Sequence, residues 1–270
     1  MDKSNYTAKY LSRGVVLRYD FPACRLHVYQ TNDPLNDFVP VLERDGQAVV
    51  IENPSFHASH WELTDYLKSE GLSVQARLLA YHMAGAAFMP QTPAWATRRA
   101  IEYGHNGGGR ALVSGFIQTF GADFDEQLTE VTNVVETGEL TLAGMRFRLL
   151  PTPEAFDVVM LDTDALYLHL LGSDCHSLVM GPEDANRQIR QLNDYLTSDY
   201  SLYVSGHHAP EDATDVRRKI AYLKGCKRLA AECDSPASYQ AAMRLAFPNF
   251  GSENFLEMSA PAFYPDQCTL

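Results

Sequence analysis

Short blocks of apolar residues, some alternating with polar ones, fill the first third of the chain. Residues 13–19, 24–30, 38–42 and 47–52 read as strands. Asp/Pro, Asn/Asp/Pro and Asp-Gly turns separate them, which predicts an antiparallel meander. After Asn53-Pro54 the period becomes helical. Ser59 with Glu62 three positions on predicts a capping box, Trp61, Leu63, Tyr66 and Leu67 an apolar face, and Gly71 a stop. Residues 74–81 predict a strand that delivers His82. Helices are expected at 92–103 and 111–120, joined by a Gly-rich loop at 104–110.

The second half repeats the style. Strands are expected at 131–136, 139–142, 145–150, 158–161 and 165–171, with a hairpin turn at Asp162-Thr163-Asp164. A helix at 183–195 precedes a short strand, 202–205, that presents Gly206-His207-His208. Helices at 212–233 and 236–247 follow, then a tail from Asn249 with one ordered piece near 255–258. Two strand-rich halves, each followed by helices, predict two packed sheets with helices outside them. No linker or repeat divides the chain, so one domain over residues 1–270 is expected, with its core at about 13–247.

Composition narrows the partners. The chain has 270 residues, 46% of them hydrophobic, and a formal net charge of −12. That acidity argues against nucleic acid or an anionic membrane as partner, but not against a small anionic substrate. Residues 1–12 are polar and no run of about 18 apolar residues exists, so neither a secretory signal nor a membrane span is expected. Five scattered cysteines, without a Cys-x-x-Cys pair, suit a reducing compartment, and the cytoplasm is the expected location. A small-molecule ligand is the expected partner, and a homodimer is compatible with the same features.

The densest chemistry lies at Gly172-Ser173-Asp174-Cys175-His176, where a carboxylate, a thiol and an imidazole follow an apolar run. An Asp at a strand end can be a metal ligand or a base, and more often simply caps a turn. Cys175 is a thiolate candidate, though a small buried hydrophobe is the commoner role. His57-Ala58-Ser59-His60 has a ligand-like spacing, but no third ligand follows nearby, so cap and surface roles are expected. His169, inside an apolar run, reads as a satisfied core histidine.

These motifs, in this order, resemble the metallo-β-lactamase fold family. Residues 48–54 are similar to its early strand, and 77–82 to the strand bearing its main metal motif. Residues 136–144 are similar to its central hairpin, Gly172-Ser173-Asp174 to its Gly-Asp motif, and Ser205-Gly206-His207 to its late Gly-His motif. The likeness runs from about 47 to 223. It implies an αββα sandwich with a metal site at strand ends. The family's His-x-His-x-Asp-His is here His82-Met83-Ala84-Gly85-Ala86-Ala87, so only the first ligand survives, and alanine cannot ligate. Where the family has Pro-Gly-His, this chain has Thr152-Pro153-Glu154. The resemblance therefore implies at most one zinc, iron or manganese ion, held by His82, Asp174, His207 and Glu154; a metal-free site fits the same residues.

Two functions follow. The first is a divergent hydrolase of a small ester, lactone or thioester, with Asp174 and His207 as the catalytic pair and Cys175, His176, His208, Phe88 and Trp95 lining the substrate pocket. The second is a metal-free relative that binds a small molecule or partner, or performs non-hydrolytic chemistry.

Overall fold

The computed structural model describes residues 2–265. Cys268 and the end of the tail lie outside the described residues. The chain forms two compact units: Met1–His169 with Ser201–Pro210, and Leu170–Tyr200 with Glu211–Leu270.

The first unit holds two sheets. One has eight strands in chain order: β1 (Thr7–Tyr10), β2 (Val15–Asp20), β3 (Arg25–Gln30), β4 (Phe38–Arg44), β5 (Gln47–Ile51), β6 (Ser73–Leu78), β7 (Ala94–Thr97) and β8 (Asn133–Val135). Pairing is antiparallel through β5 and parallel from β5 to β8. The other sheet orders β13 (Leu202–Ser205), β12 (Ala165–Leu168), β11 (Phe156–Met160), β10 (Met145–Pro151) and β9 (Gly138–Leu142), with only the β12–β13 pair parallel. Two tight hairpins set register by the same device. Asp45-Gly46 and Ala143-Gly144 each place two consecutive residues at positive φ, as a two-residue turn matched to strand twist requires.

Strand alternation sorts the core into two layers. Leu17, Leu26, Val28, Leu42 and Ile51 meet Phe147, Phe156, Val158 and Tyr167 between the sheets. The opposite face of the larger sheet, Val16, Tyr29, Val39, Val41 and Val50, packs on Leu63, Tyr66 and Leu67 of helix α1 (His57–Ser69). Helices α2 (Arg98–His105) and α3 (Gly108–Phe120) complete this unit. The second unit is helical: α4 (Pro182–Leu196), α5 (Ala213–Glu232), α6 (Pro236–Ala246) and α7 (Glu253–Ser259). Reciprocal capping boxes start α5 at Asp212 and Asp215 and α6 at Ser235 and Ser238. Among the described residues no helix is long and apolar enough to cross a membrane.

Several local expectations shift. Helix α1 starts at His57 without a side-chain cap, so Ser59 and Glu62 form no capping box. The Glu62 carboxylate instead accepts from the Ser12 hydroxyl (2.6 Å), the Arg13 and Gly14 amides (2.7 and 2.8 Å) and the Tyr29 hydroxyl (2.8 Å). Four distant donors outweigh one local cap. Ala94–Thr97 is a strand rather than the start of a helix, because two parallel neighbours pair with it. Thr97 then caps α2, accepting from the Ala100 amide. The glycines at 104–109 serve close packing rather than a free loop. A Cβ on Gly104 would lie 2.2 Å from Met83 Cγ, and Gly108 and Gly109 sit in α3 against the Tyr103 ring.

Two outcomes follow for stability. Gly85 has φ +86°, and a Cβ there would lie 2.5 Å from the Pro54 carbonyl oxygen. Gly85→Ala is expected to destabilise by at least about 2 kcal/mol in denaturant unfolding, from left-handed strain plus a backbone clash; an unchanged midpoint would refute this. His27 is buried under α1 with its Nδ1 2.6 Å from the Tyr66 hydroxyl. Burial pulls its pKa down to about 4, against the attraction of Glu43. The unfolded chain therefore takes this proton more readily. The stabilisation is complete above about pH 6.5 and lost as pH falls toward 4, at most about 3 kcal/mol. His27→Gln should flatten that acid-side slope, read by urea midpoints from pH 7 to 4.

Candidate metal centre

Three strand ends converge in the first unit. β12 and β13 run parallel with Leu168 opposite Ser205, so their carboxyl ends lie side by side. His169 is the first residue after β12, and His207 follows β13 by two residues. His82 lies just beyond β6. The three Nε2 atoms form a nearly equilateral triangle: 3.1 Å from His82 to His169, 3.2 Å from His82 to His207 and 3.1 Å from His169 to His207.

Backbone features make this approach possible. A Cβ on Gly206 would lie 3.1 Å from the His169 carbonyl oxygen and 3.2 Å from its ring carbon Cδ2. Glycine therefore lets the two turns close. Glu52, buried at the end of β5 with φ +67°, accepts from the amides of Ala80 (3.2 Å), Tyr81 (2.8 Å) and His82 (2.9 Å) and from the Tyr167 hydroxyl (3.2 Å). The Tyr81 ring stacks on His169 with centroids 4.4 Å apart and planes 11° apart. Its hydroxyl is tied to Thr152 Oγ1 (2.9 Å) and to the Asp157 carboxylate (3.1 Å). Asp37 is fully buried, with Oδ1 3.2 Å from His207 Nδ1 and Oδ2 accepting from the Ser55 hydroxyl at 2.6 Å.

The electrostatics separate the rings. Burial, then the neighbouring His207 and His82, push His169 well below the usual imidazole range. Burial also lowers His207, but the hydrogen bond and charge of Asp37 outweigh it and leave a net upward shift. Both groups facing His207 Nδ1, the Leu35 carbonyl at 3.3 Å and the Asp37 carboxylate at 3.2 Å, can only accept, so in the neutral ring the proton sits on Nδ1 and Nε2 points a lone pair at the triangle. A buried carboxylate or carbonyl behind the ring is the usual way a ligating histidine is oriented.

The triangle also tests the fit to a metal. A hydrogen bond needs a donor facing an acceptor, and three nitrogens in mutual contact cannot alternate. At least one edge must set like against like. One cation receiving three lone pairs removes that conflict. Three nitrogens at about 2.0–2.1 Å from a tetrahedral zinc lie about 3.3–3.4 Å apart, close to the spacing here.

The structure thus brings His82 and His207 together and adds His169. Sequence reasoning treated His169 as core; its usable signal was its position where an apolar strand ends. Asp174 and Glu154 are not members of the group. Asp174 is an exposed residue of the second unit, and its carbonyl accepts from the Gly251 amide at 3.2 Å. Cys175 is buried, its thiol pushed up by that burial, with Sγ 3.5 Å from the Gly172 carbonyl. His176 is fully buried, with Nδ1 3.1 Å from the Tyr222 hydroxyl. Lys219 donates to the carbonyls of Gly172 (2.7 Å) and Cys175 (3.0 Å) and holds this turn. Glu154 is half-buried on the β10–β11 turn, and His208 is half-buried beside His207. Phe88 is fully buried in the layer under α1, and Trp95 packs half-buried on the inter-sheet core.

No family model and no curated protein sequence matches this chain. Solved structures do. The stereoselective inverting sec-alkylsulfatase Pisa1 from Pseudomonas sp. superposes with a TM-score of 0.61 at 13% identity, over 89% of this chain and 49% of the sulfatase. The chain thus spans about half the sulfatase's length. A metallo-β-lactamase family protein from Thermus thermophilus superposes with a TM-score of 0.60 at 16% identity, over 89% of this chain and 91% of its own. A metallo-β-lactamase from Erythrobacter litoralis gives 0.57 at 11% identity, over 81% of this chain and 100% of its own. With two stacked sheets, helices and a histidine cluster at the carboxyl ends of its strands, the chain carries the metallo-β-lactamase fold, in a sequence only 11–16% identical to these neighbours.

Proposed function

We propose that the protein is a metal-dependent hydrolase of a small ester, lactone or thioester, with one divalent ion held by His82, His169 and His207. The observation that carries this reading is the triangle of three Nε2 atoms at 3.1–3.2 Å. Three histidines with an open fourth position are a known catalytic donor set for zinc. The fold supports hydrolysis, since its structural neighbours bear the names of a sulfatase and of β-lactamase-family proteins. A metal-free pocket is the weaker reading, because it leaves one edge of the triangle repulsive.

A divalent ion supplies Lewis acidity, polarising a substrate oxygen and acidifying water. The chain's own residues prepare the place for it. His82, His169 and His207 would hold the ion through imidazoles alone, with no carboxylate among the ligands to offset its charge. Asp37 and the Leu35 carbonyl keep the His207 proton on Nδ1. Tyr81 holds the plane of His169, and Glu52 fixes the backbone that presents His82.

The decisive measurement is metal content per chain in protein purified without chelator. His169→Ala is expected to lower it by one equivalent; equal content in the variant and the parent would overturn the assignment. Hydrolysis of p-nitrophenyl esters, thioesters or lactones should disappear on chelation and return with zinc or manganese. Asp37→Asn, which keeps the shape but removes the charge behind His207, should weaken metal affinity at this centre by about 10–100-fold in competition with a chromophoric chelator. Unchanged affinity would show that Asp37 does not act through His207.

A further inference from the structure

We propose that His57, His60 and Asp125 form a second cation site, suited to a borderline divalent transition ion such as zinc. None of its ligands is shared with the three-histidine centre. One ligand atom from each residue lies within 4.8 Å of the other two. His57 and His60 stand three apart on the first turn of α1, on one face of the helix, with ring centroids 5.5 Å apart and planes at 82°. Asp125 arrives from beyond α3 and is anchored by its own backbone. Its amide donates to the Ser55 carbonyl at 3.0 Å, and its carbonyl accepts from the Gly85 amide at 3.1 Å.

The hydrogen bonding of His60 decides what the niche can take. Its Nε2 is 2.8 Å from the Pro54 carbonyl, which can only accept. Nε2 therefore carries the proton, and in the neutral ring Nδ1 presents a lone pair. That Nδ1 is 4.0 Å from Asp125 Oδ2. Two acceptors thus face each other in the interior, with 3% and 1% of the two residues exposed, too far apart to bond directly. The Asp125 carboxylate receives backbone amides from Ala87 (2.7 Å, on Oδ2) and Gln127 (3.2 Å, on Oδ1). The buried cation Arg77 turns its donors instead to the Phe88 and Thr92 carbonyls and to Asn53. A buried carboxylate supported only by neutral donors and facing an imidazole lone pair calls for a cation.

The donor set names the ion class. Two histidines with one carboxylate bind zinc and related first-row ions. The Pro54 carbonyl behind His60 repeats the orienting pattern that Asp37 provides for His207. Gly85 keeps this arrangement open, since any side chain there would press on Pro54 and approach His60 Nε2 at 3.3 Å. His57 is only half-buried, so the site is open to solvent on its side. An ion here would tie the start of α1 to the segment after α3.

The test uses the full chain carrying His169→Ala and His207→Ala, titrated with Zn²⁺ or Co²⁺ by calorimetry, with Co²⁺ absorption as a signature of nitrogen ligation. One saturable equivalent at micromolar or better affinity is expected, with a rise in Tm. Adding His57→Ala, which removes a half-buried ring at the helix start, should weaken binding at least tenfold. In the parent chain, two equivalents should fall to one with His57→Ala alone, which answers the question even if the double variant folds poorly. Absence of a saturable equivalent, millimolar binding only, or binding indifferent to His57→Ala would overturn the proposal.

Discussion

The structure of the centre depends on one close approach, that of the Gly206 backbone to His169. Parallel pairing puts the carboxyl ends of β12 and β13 together, and glycine at 206 spares the turn after β13 the tight contacts, 3.0–3.2 Å, that a Cβ would make with Tyr167 and His169. The Gly206 amide then donates to that same carbonyl at 3.0 Å, and Ser205 Oγ donates to it at 3.0 Å. This contact fixes the distance between two of the three imidazoles. The third, His82, is brought in from the other sheet by Glu52.

Buried carboxylates recur as the partners of imidazoles in the first unit. Glu52 holds the backbone of His82, Asp37 holds the Nδ1 side of His207, and Asp125 faces His60. Each is at most 1% exposed. A carboxylate in that setting costs several kcal/mol unless its oxygens are satisfied, so each one strongly constrains the atoms around it. Glu52 meets this with three backbone amides and a hydroxyl. Asp37 has the Ser55 hydroxyl on Oδ2 and the His207 imidazole at ion-pair distance from Oδ1. Asp125 has backbone amides alone, which sets it apart from the other two. The Pro54–Phe56 stretch joins these groups, since Ser55 bonds Asp37 through its hydroxyl and Asp125 through its carbonyl.

Much of the fold was legible because its signals are local. Alternation in 13–52, the Asp-Gly and Ala-Gly turns, and the helical period of 212–233 each depend on a few adjacent residues. Errors fell where pairing partners overrode local pattern. Ala94-Trp95-Ala96-Thr97 is too short and too apolar to be distinguished from a helix start, and only β6 and β8 make it a strand. Glu62 looked like a capping partner and was claimed by donors some fifty positions earlier in the chain.

The sequence by itself determined the two-sheet α/β fold, the absence of ligands at Ala84, Ala86 and Ala87, and the candidacy of His82 and His207. Those depend on residue identity and on spacing along the chain. The tertiary structure decided the rest. It ended β12 at Leu168, so that His169 rather than Asp174 stands at the strand end, and it turned Cys175 and His176 into buried parts of the second unit. It also placed Asp125 beside His57 and His60, from far along the chain. Coordination depends on distances of a few ångströms between residues tens of positions apart, and no local pattern encodes those distances.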